Sequence, residues 1–228
     1  MILEETEIRD RHERYSEPVR AEVGTVCMHV ESGSVDIRSH DLPSVDVDAH
    51  LRGVDVHVWR EDDCVFVTAE NAPLEADQAA VPRKAEIVVL APATCDVQVQ
   101  VVTGSVEIHD VSAAVRSHII TGQTALSNIG GRIVASAVTG SISYQGRLVD
   151  DTHRFAATTG SLRLALQEPP NARIYAWSTT GRVLCELPLS QSRRGGLPTG
   201  DHLYGVTGSG VGRILAEVTT GSVHIAAM

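Results

Sequence analysis

Apolar and polar residues alternate in short runs that recur along most of the chain. Each run is centred on a glycine that follows threonine or serine, as in "VVTGSVEI" at residues 101–108. Apolar residues favour the third, fifth and seventh positions before this glycine, and the second and fourth positions after it. A period of two places alternate side chains on one face of a strand. The pattern therefore predicts pairs of β-strands that meet at a Thr-Gly corner.

The corner glycines recur at an interval of 18 to 21 residues through the middle of the chain. A unit of this size cannot bury its apolar face alone, so successive units must stack through parallel strands. The sequence thus predicts an all-β fold, a parallel β-solenoid whose coils stack in chain order. Parallel crossovers favour a right-handed β-helix, and the six-residue apolar period of left-handed β-helices is absent. The corners are Gly33, Gly104, Gly122, Gly140, Gly160, Gly181 and Gly221, with Gly208 out of register.

Two segments interrupt the repeat. Residues 38–91 contain short alternating strands joined by hairpin-like turns, such as "VDVDAHL" and "VDVHVWR". We therefore predict an antiparallel N-terminal β-layer over residues 1–91 that caps the solenoid of residues 92–228, as one continuous unit. Residues 186–205, rich in Pro and Gly and with paired arginines, predict an inserted loop. Either this loop covers the last coil, or the last coil is open to another molecule.

Charge and composition narrow the range of possible functions. Hydrophobic residues make up 43% of the chain and aromatic residues only 4%, so aliphatic side chains must fill the core. The net charge of −10 argues against nucleic acid as a partner. Residues 1–110 carry 23 acidic and 9 basic side chains and the remainder 6 and 10, a split of −14 against +4. This split either drives head-to-tail association or simply reflects an acidic N-terminal layer.

The sequence lacks the signals of export, membrane insertion and metal binding by cysteine. An acidic start, no signal peptide and no apolar run long enough for a membrane span predict a cytoplasmic protein. The four cysteines lack metal-type spacing, which predicts reduced thiols. No metal site and no cofactor are predicted.

Six residues are candidates for binding a partner. Three arginines each stand eight residues before a corner glycine, and regular stacking would align them as an outward basic stripe on alternate coils. The other three lie in the inserted loop. Such a surface suits a carboxylate-bearing partner or the acidic layer of a second copy, although arginines also simply keep a β-face soluble. The candidates are Arg132, Arg173, Arg213, Arg193, Arg194 and His202.

No catalytic residue is predicted. Sugar-cleaving β-helices require paired carboxylates on one outward face. The outward position three after each corner glycine contains acids only at Asp36 and Glu107, which we do not expect on adjacent coils.

The repeated segments "TGSVEI", "TGSISY", "TTGSLRL", "TTGRVLC" and "TTGSVHI", preceded by "AEIVVLAPATCDVQVQVVTG", resemble the bacterial "putative adhesin" family of β-strand-repeat proteins. The resemblance extends over nearly the whole chain. It implies a β-solenoid, often in an envelope or regulatory context, and brings no catalytic motif. The chain departs from the family in its lack of an export signal or anchor.

Together these features predict a non-enzymatic scaffold or interaction protein that binds a protein partner or itself end to end. The alternative is an enzyme or a binding protein for small ligands or glycans, with its site on the solenoid face near residues 186–205.

Overall fold

The structure, a computed structural model, describes residues 11–19, 24–72, 83–196 and 198–228. Fourteen β-strands account for the regular secondary structure of these residues, and hydrogen bonds join them in one sheet. No helix capable of crossing a membrane occurs in this part of the chain. The prediction of an all-β fold is confirmed.

The strands vary from 6 to 16 residues in length, and the longest ones form the solenoid. In chain order they are β1 (Arg11–Pro18), β2 (Thr25–His40), β3 (Ser44–Arg52), β4 (Val54–Glu61), β5 (Cys64–Asn71), β6 (Lys84–Pro92), β7 (Asp96–His109), β8 (Val115–Ser127), β9 (Ile133–Gly146), β10 (Thr152–Leu166), β11 (Ala172–Cys185), β12 (Ser190–Gly196), β13 (Asp201–Val206) and β14 (Gly212–Ala227).

Seven long strands, β2, β7, β8, β9, β10, β11 and β14, each contain one predicted corner. They pair in parallel with corner glycine beside corner glycine, which confirms the predicted parallel β-solenoid. The right-handed sense of the coil stays a prediction. Gly208, out of register in the sequence, lies instead in the connection between β13 and β14.

Close packing at the corners explains why they are glycines. The corner glycines have φ angles between 139° and 151°, a region that side chains disfavour. In addition, the carbonyl group of each corner occupies the place of the missing side chain on the next coil. A Cβ atom on Gly104 would lie 1.6 Å from the carbonyl oxygen of Gly33, and one on Gly140 would lie 1.7 Å from that of Gly122.

The core is filled by the alternating apolar positions on both arms of each bent strand. Aliphatic residues dominate it, as the composition predicts. Phe155 is an exception, because it is fully buried and lies between Ala135 on β9 and Ala216 on β14. Its ring also contacts Tyr144, with 6.1 Å between the ring centroids. Small neighbours thus leave the space that one large side chain occupies.

The order of the last coils differs from the prediction. β14 lies between β10 and β11 and pairs in parallel with both, so the coils do not stack in chain order at this end. The repeat allows this arrangement because Gly221 matches Gly160 on one side and Gly181 on the other. The expectation of sequential stacking is therefore wrong for the last two coils.

The inserted loop at 186–205 covers the C-terminal end of the stack. Its strands β12 and β13 form an antiparallel hairpin, and β13 pairs with the first arm of β11. At the corner, the N–H of Gly181 donates to the carbonyl oxygen of Thr199 at 2.9 Å. The N–H of Val183 donates to the carboxylate of Asp201 at 3.2 Å. Neither predicted alternative holds for the last coil of the chain, because β14 lies inside the stack; the loop covers β11, which is the end coil.

At the N-terminal end, β2 is itself a coil of the solenoid. One edge of β2 pairs in parallel with β7. The other edge pairs in parallel with β5 before Gly33 and with β6 from Gly33 onward. β4 pairs with β5, β3 pairs with β6, and β1 pairs with the outer edge of β3, in each case antiparallel. The antiparallel N-terminal layer is thus confirmed. A domain boundary at residue 91 stays a prediction.

His153 is a buried polar residue at a core position where other coils have Val or Ile. Its Nε2–H donates to the carbonyl oxygen of Val149 at 2.9 Å, and its Nδ1 accepts the N–H of Ile133 at 3.3 Å. Burial lowers the pKa of His153, and the nearby Arg132 acts in the same direction, although the bond to Val149 and the charge of Asp151 oppose the shift. The folded protein therefore contains neutral His153.

We expect His153 to make stability depend on pH. Below about pH 6.5 the unfolded chain takes up a proton that the folded chain resists, so the free energy of unfolding falls by up to about 1.4 kcal/mol per pH unit. Urea unfolding between pH 7.5 and 5 measures this slope. His153→Ile should reduce the slope, whereas His57→Ala, at an exposed histidine, should not. Equal slopes in wild type and His153→Ile would contradict the assignment.

Candidate functional site

The C-terminal end of the stack gathers four of the six candidate residues on one outward face. Arg173 on β11 lies beside Arg213 on β14. The side chains of these two arginines and of Arg193 and His202 are exposed. Arg193 on β12 lies beside Tyr204 on β13, and His202 lies beside Trp177 on β11. We call this surface the arginine–aromatic face. It consists of Arg173, Tyr175, Trp177, Arg193, His202, Tyr204 and Arg213.

Aromatic side chains form the centre of the face. The rings of Tyr175 and Tyr204 lie 5.0 Å apart with a tilt of 52°. The guanidinium of Arg213 lies 5.9 Å from the centroid of the Tyr175 ring, within the range of a cation–π contact. The Trp177 indole remains 37% exposed. Rigid aromatic groups beside arginines are the composition that dominates binding energy at protein interfaces.

The aromatic cluster is informative because the chain contains few aromatic residues. The chain contains only 2 Trp, 4 Tyr and 2 Phe. Three of these eight residues lie together on the arginine–aromatic face, partly or fully accessible to solvent. Core packing does not account for them, because the inward positions of β11 and β13 are Ile, Ala, Ser, Leu and Gly.

The face has uncompensated positive charge. Within the residues that the structure describes, Arg173, Arg193 and Arg213 form no ion pair with a carboxylate. The nearby acid Glu217 pairs with Arg154 at 3.0 Å. Asp201 accepts a backbone hydrogen bond at the edge of β11. Three exposed guanidinium groups are therefore available to a carboxylate-bearing partner.

A shallow groove adjoins the face. Trp177 and Glu217 line one side, His118 lines the other, and the small residues Ser136 and Ala156 lie between them. Its volume is about 270 Å³. The groove exists because small outward residues on β9 and β10 lie between larger ones on β8 and β11. It is open to solvent and has an aromatic wall and a carboxylate.

The other two predicted residues lie elsewhere. Arg132 precedes β9, and Thr152 of β10 separates it from Arg213, as the predicted alternation requires. Arg173 and Arg213 are direct neighbours, however, so the alternation fails at the last coils. The insertion of β14 beside β11 is the cause. Arg194 donates to the carbonyl oxygen of Cys185 at 3.4 Å and covers the edge of β11. Their proposed binding role stays a prediction.

The expectation about paired carboxylates is wrong. Asp36 and Glu107 are direct neighbours, because β2 stacks on β7 despite the 38–91 interruption. Each has a basic side chain as a partner on its own strand. Arg38 contacts both carboxylate oxygens of Asp36, at 2.5 and 3.0 Å, and Glu107 lies 3.6 Å from His109. With its carboxylate engaged in this way, Asp36 is poorly placed to act as a nucleophile or general acid.

Sequence reasoning did not select Tyr175, Trp177 or Tyr204. A usable signal existed for the first two, since the alternation places them on outward positions six and four residues before Gly181. Large aromatic residues at outward positions of an aromatic-poor chain indicate a contact surface. Tyr204 gave no such signal, because its position depends on the hairpin formed by β12 and β13.

Comparison with known proteins connects the chain to others by its fold. The crystal structure of a "putative cell adhesion protein" from Clostridium sporogenes has a TM-score of 0.53 at 8% identity, over 96% of this chain and 100% of that one. A "putative adhesin" from Bacteroides fragilis aligns over 97% and 99% at 10% identity, but its TM-score of 0.37 establishes no common fold. The sequence matches no protein-family model and no curated protein. The resemblance to bacterial adhesin-type proteins is therefore confirmed as a likeness of fold.

Proposed function

We propose that this protein is a non-enzymatic interaction protein that binds a carboxylate-bearing protein surface through the arginine–aromatic face. The observation that carries the proposal is the clustering of three solvent-accessible aromatic rings with three exposed arginines that form no ion pair within the described residues. Arginine forks bind carboxylates with two hydrogen bonds, and the rings supply apolar contact area at low entropic cost. The structural neighbour described as a putative cell adhesion protein is consistent with a binding role.

We further propose a second copy of the chain as the partner, in a head-to-tail arrangement. The far end of the same outward face is acidic, with Glu61, Asp62, Asp63 and Glu70 exposed. Trp59, 42% exposed, stacks on Phe66 at this end with 5.2 Å between ring centroids. The two ends thus offer opposite charges and an aromatic pair each, which favours heterologous contact.

Sedimentation velocity tests this association. We expect a concentration-dependent increase in sedimentation coefficient at low salt that is reduced at 0.5 M NaCl, because salt screens exposed charges. The double variant Arg193→Glu/Arg213→Glu should be monomeric under the same conditions. Arg163→Glu, a single charge reversal of the same kind on the other arm of β10, is the control. A wild-type monomer at all salt concentrations, or equal behaviour of all three proteins, would rule out self-association.

A cytoplasmic location is part of this proposal. All four cysteines, Cys27, Cys64, Cys95 and Cys185, are free thiols, and reducing compartments maintain them. Burial raises the pKa of the Cys95 and Cys185 thiols, which makes both less reactive.

The groove beside Trp177 supports a second candidate function, the binding of a small ligand or glycan. An aromatic wall with a carboxylate beside it is an arrangement that suits a sugar ring. Tryptophan fluorescence during titration with a glycan panel tests this, since the chain has only two tryptophans. A ligand should change the fluorescence of wild type and of Trp59→Phe, but not of Trp177→Phe. Binding that survives in Trp177→Phe with wild-type affinity would exclude the groove.

A further inference from the structure

A cluster of potential metal ligands lies at the opposite end of the molecule, on the arm after the corner. β1 and β3 pair in antiparallel fashion with His12 directly opposite His50. Asp48 lies two residues before His50 on β3, so all three side chains leave the same face of the sheet. The two imidazole rings stack, with centroids 4.1 Å apart and an angle of 16° between their planes.

The donor atoms converge on one point. His12 Nε2 lies 2.7 Å from Asp48 Oδ1, and His50 Nδ1 lies 3.5 Å from the same oxygen. One donor atom from each residue lies within 4.8 Å of the other two. We propose that His12, Asp48 and His50 bind a divalent transition-metal ion, with Zn²⁺ as the ion that best suits two imidazoles and one carboxylate.

The distances suit tetrahedral coordination once the two imidazole rings turn out of their stacked arrangement, because lone pairs in nearly parallel ring planes cannot both point at one ion. Zinc bonds of about 2.0–2.2 Å place the ligand atoms of a tetrahedral site about 3.4 Å apart. The separation between His50 and Asp48 already has this value, and that between His12 and Asp48 must increase by about 0.7 Å. The histidine side chains are 40% and 63% exposed, so both rings have room to turn without disturbing the core.

A second layer of contacts orients the carboxylate. Arg14 Nε donates to Asp48 Oδ2 at 2.8 Å, which leaves Oδ1 directed at the two rings. Partial burial opposes ionisation of Asp48, but the hydrogen bonds from His12 and Arg14 hold its pKa below the usual range. The charge of Arg14 works against a cation, yet its side chain is 75% exposed and solvent screens it. Glu86, opposite His50 on β6, is paired with Lys84, so the two charges largely cancel beside the site.

The site has an open side. A cavity of about 320 Å³ adjoins both histidines and is also lined by Arg11, Lys84 and Glu86. Three protein ligands with one position left to water or another small ligand is the arrangement of an accessible zinc site rather than a closed one. A bound ion would also join the edge strand β1 to β3 through its side chains.

Calorimetric titration of the full chain with ZnCl₂, after removal of metal with EDTA, tests the proposal. We expect one zinc ion per chain, with affinity reduced about ten-fold or more in His50→Ala and in Asp48→Ala. His57→Ala, which removes an equally exposed strand histidine on β4, should bind as wild type does. Binding should weaken with acid, since metal ligation requires neutral imidazoles.

Hydrogen exchange provides a readout that depends on where the ion binds. Zinc should slow exchange of the β1 amides in wild type and leave them unchanged in His50→Ala. Equal zinc affinity in wild type and His50→Ala, or equal losses in His50→Ala and His57→Ala, would overturn the proposal. These outcomes are distinguishable from self-association, because the acidic contact surface at this end belongs to β4 and β5 on the arm before the corner, whereas the metal ligands belong to β1 and β3 on the arm after it.

Discussion

Gly140→Ala is expected to destabilise the protein by more than about 4 kcal/mol, a large part of the roughly 5–15 kcal/mol that stabilises a typical domain. The new Cβ atom would lie 1.7 Å from the carbonyl oxygen of Gly122, and Gly140 has a φ angle of 145°. The contact is with backbone, so a side-chain rotation cannot relieve it. Any shift of this corner must also be transmitted to the corners stacked on it.

Gly196→Ala is the matched control, because no atom lies within 4 Å of a Cβ atom at that exposed position. It should change the free energy of unfolding by no more than about 0.5 kcal/mol. Urea unfolding followed by circular dichroism compares the two variants. A cost below about 1 kcal/mol for Gly140→Ala would show that the corner stack is looser than the structure indicates.

Phe155→Ala should cost about 3–5 kcal/mol, the range for removal of a buried aromatic ring. The variant would place three alanines in a row across β9, β10 and β14, next to Tyr144, and none of them can fill the space. Because continuous strands flank the site on both sides, the cavity cannot collapse easily.

The chain contains one other phenylalanine, which makes the control direct. Phe66 points outward on β5 and stacks on Trp59, so Phe66→Ala should cost only about 1 kcal/mol. Chemical unfolding measures both variants. Similar costs at the two positions would mean that the Phe155 site repacks, and the size matching with Ala135 and Ala216 would lose its significance.

The local repeat allowed most of the fold to be predicted. A glycine every 18 to 21 residues with alternating neighbours identifies both the corners and the inward side chains, and these depend on short-range chemistry alone. The repeat does not determine which coil lies beside which. The segments around Gly181 and Gly221 carry the same pattern, so pattern alone does not distinguish a stack in chain order from the observed one, with β14 between β10 and β11.

The candidate sites were harder to predict because pairing of distant strands creates them. His12 and Asp48 are 36 residues apart, in segments outside the repeat, and meet only through the antiparallel pairing of β1 with β3. The arginine–aromatic face was found in part, since Arg173 and Arg213 follow the repeat. Tyr204 and Arg193 joined it through a hairpin whose position on β11 no periodicity encodes.

The position of β14 has a consequence for how the protein folds. The strand that lies between β10 and β11 comes after both of them in the chain. Until β14 is in place, β10 exposes a parallel edge, and β11 offers it the same repeat with a matching corner. Any pairing of β11 with β10 must therefore be undone before β14 can enter, so that one strand neighbour is exchanged for another.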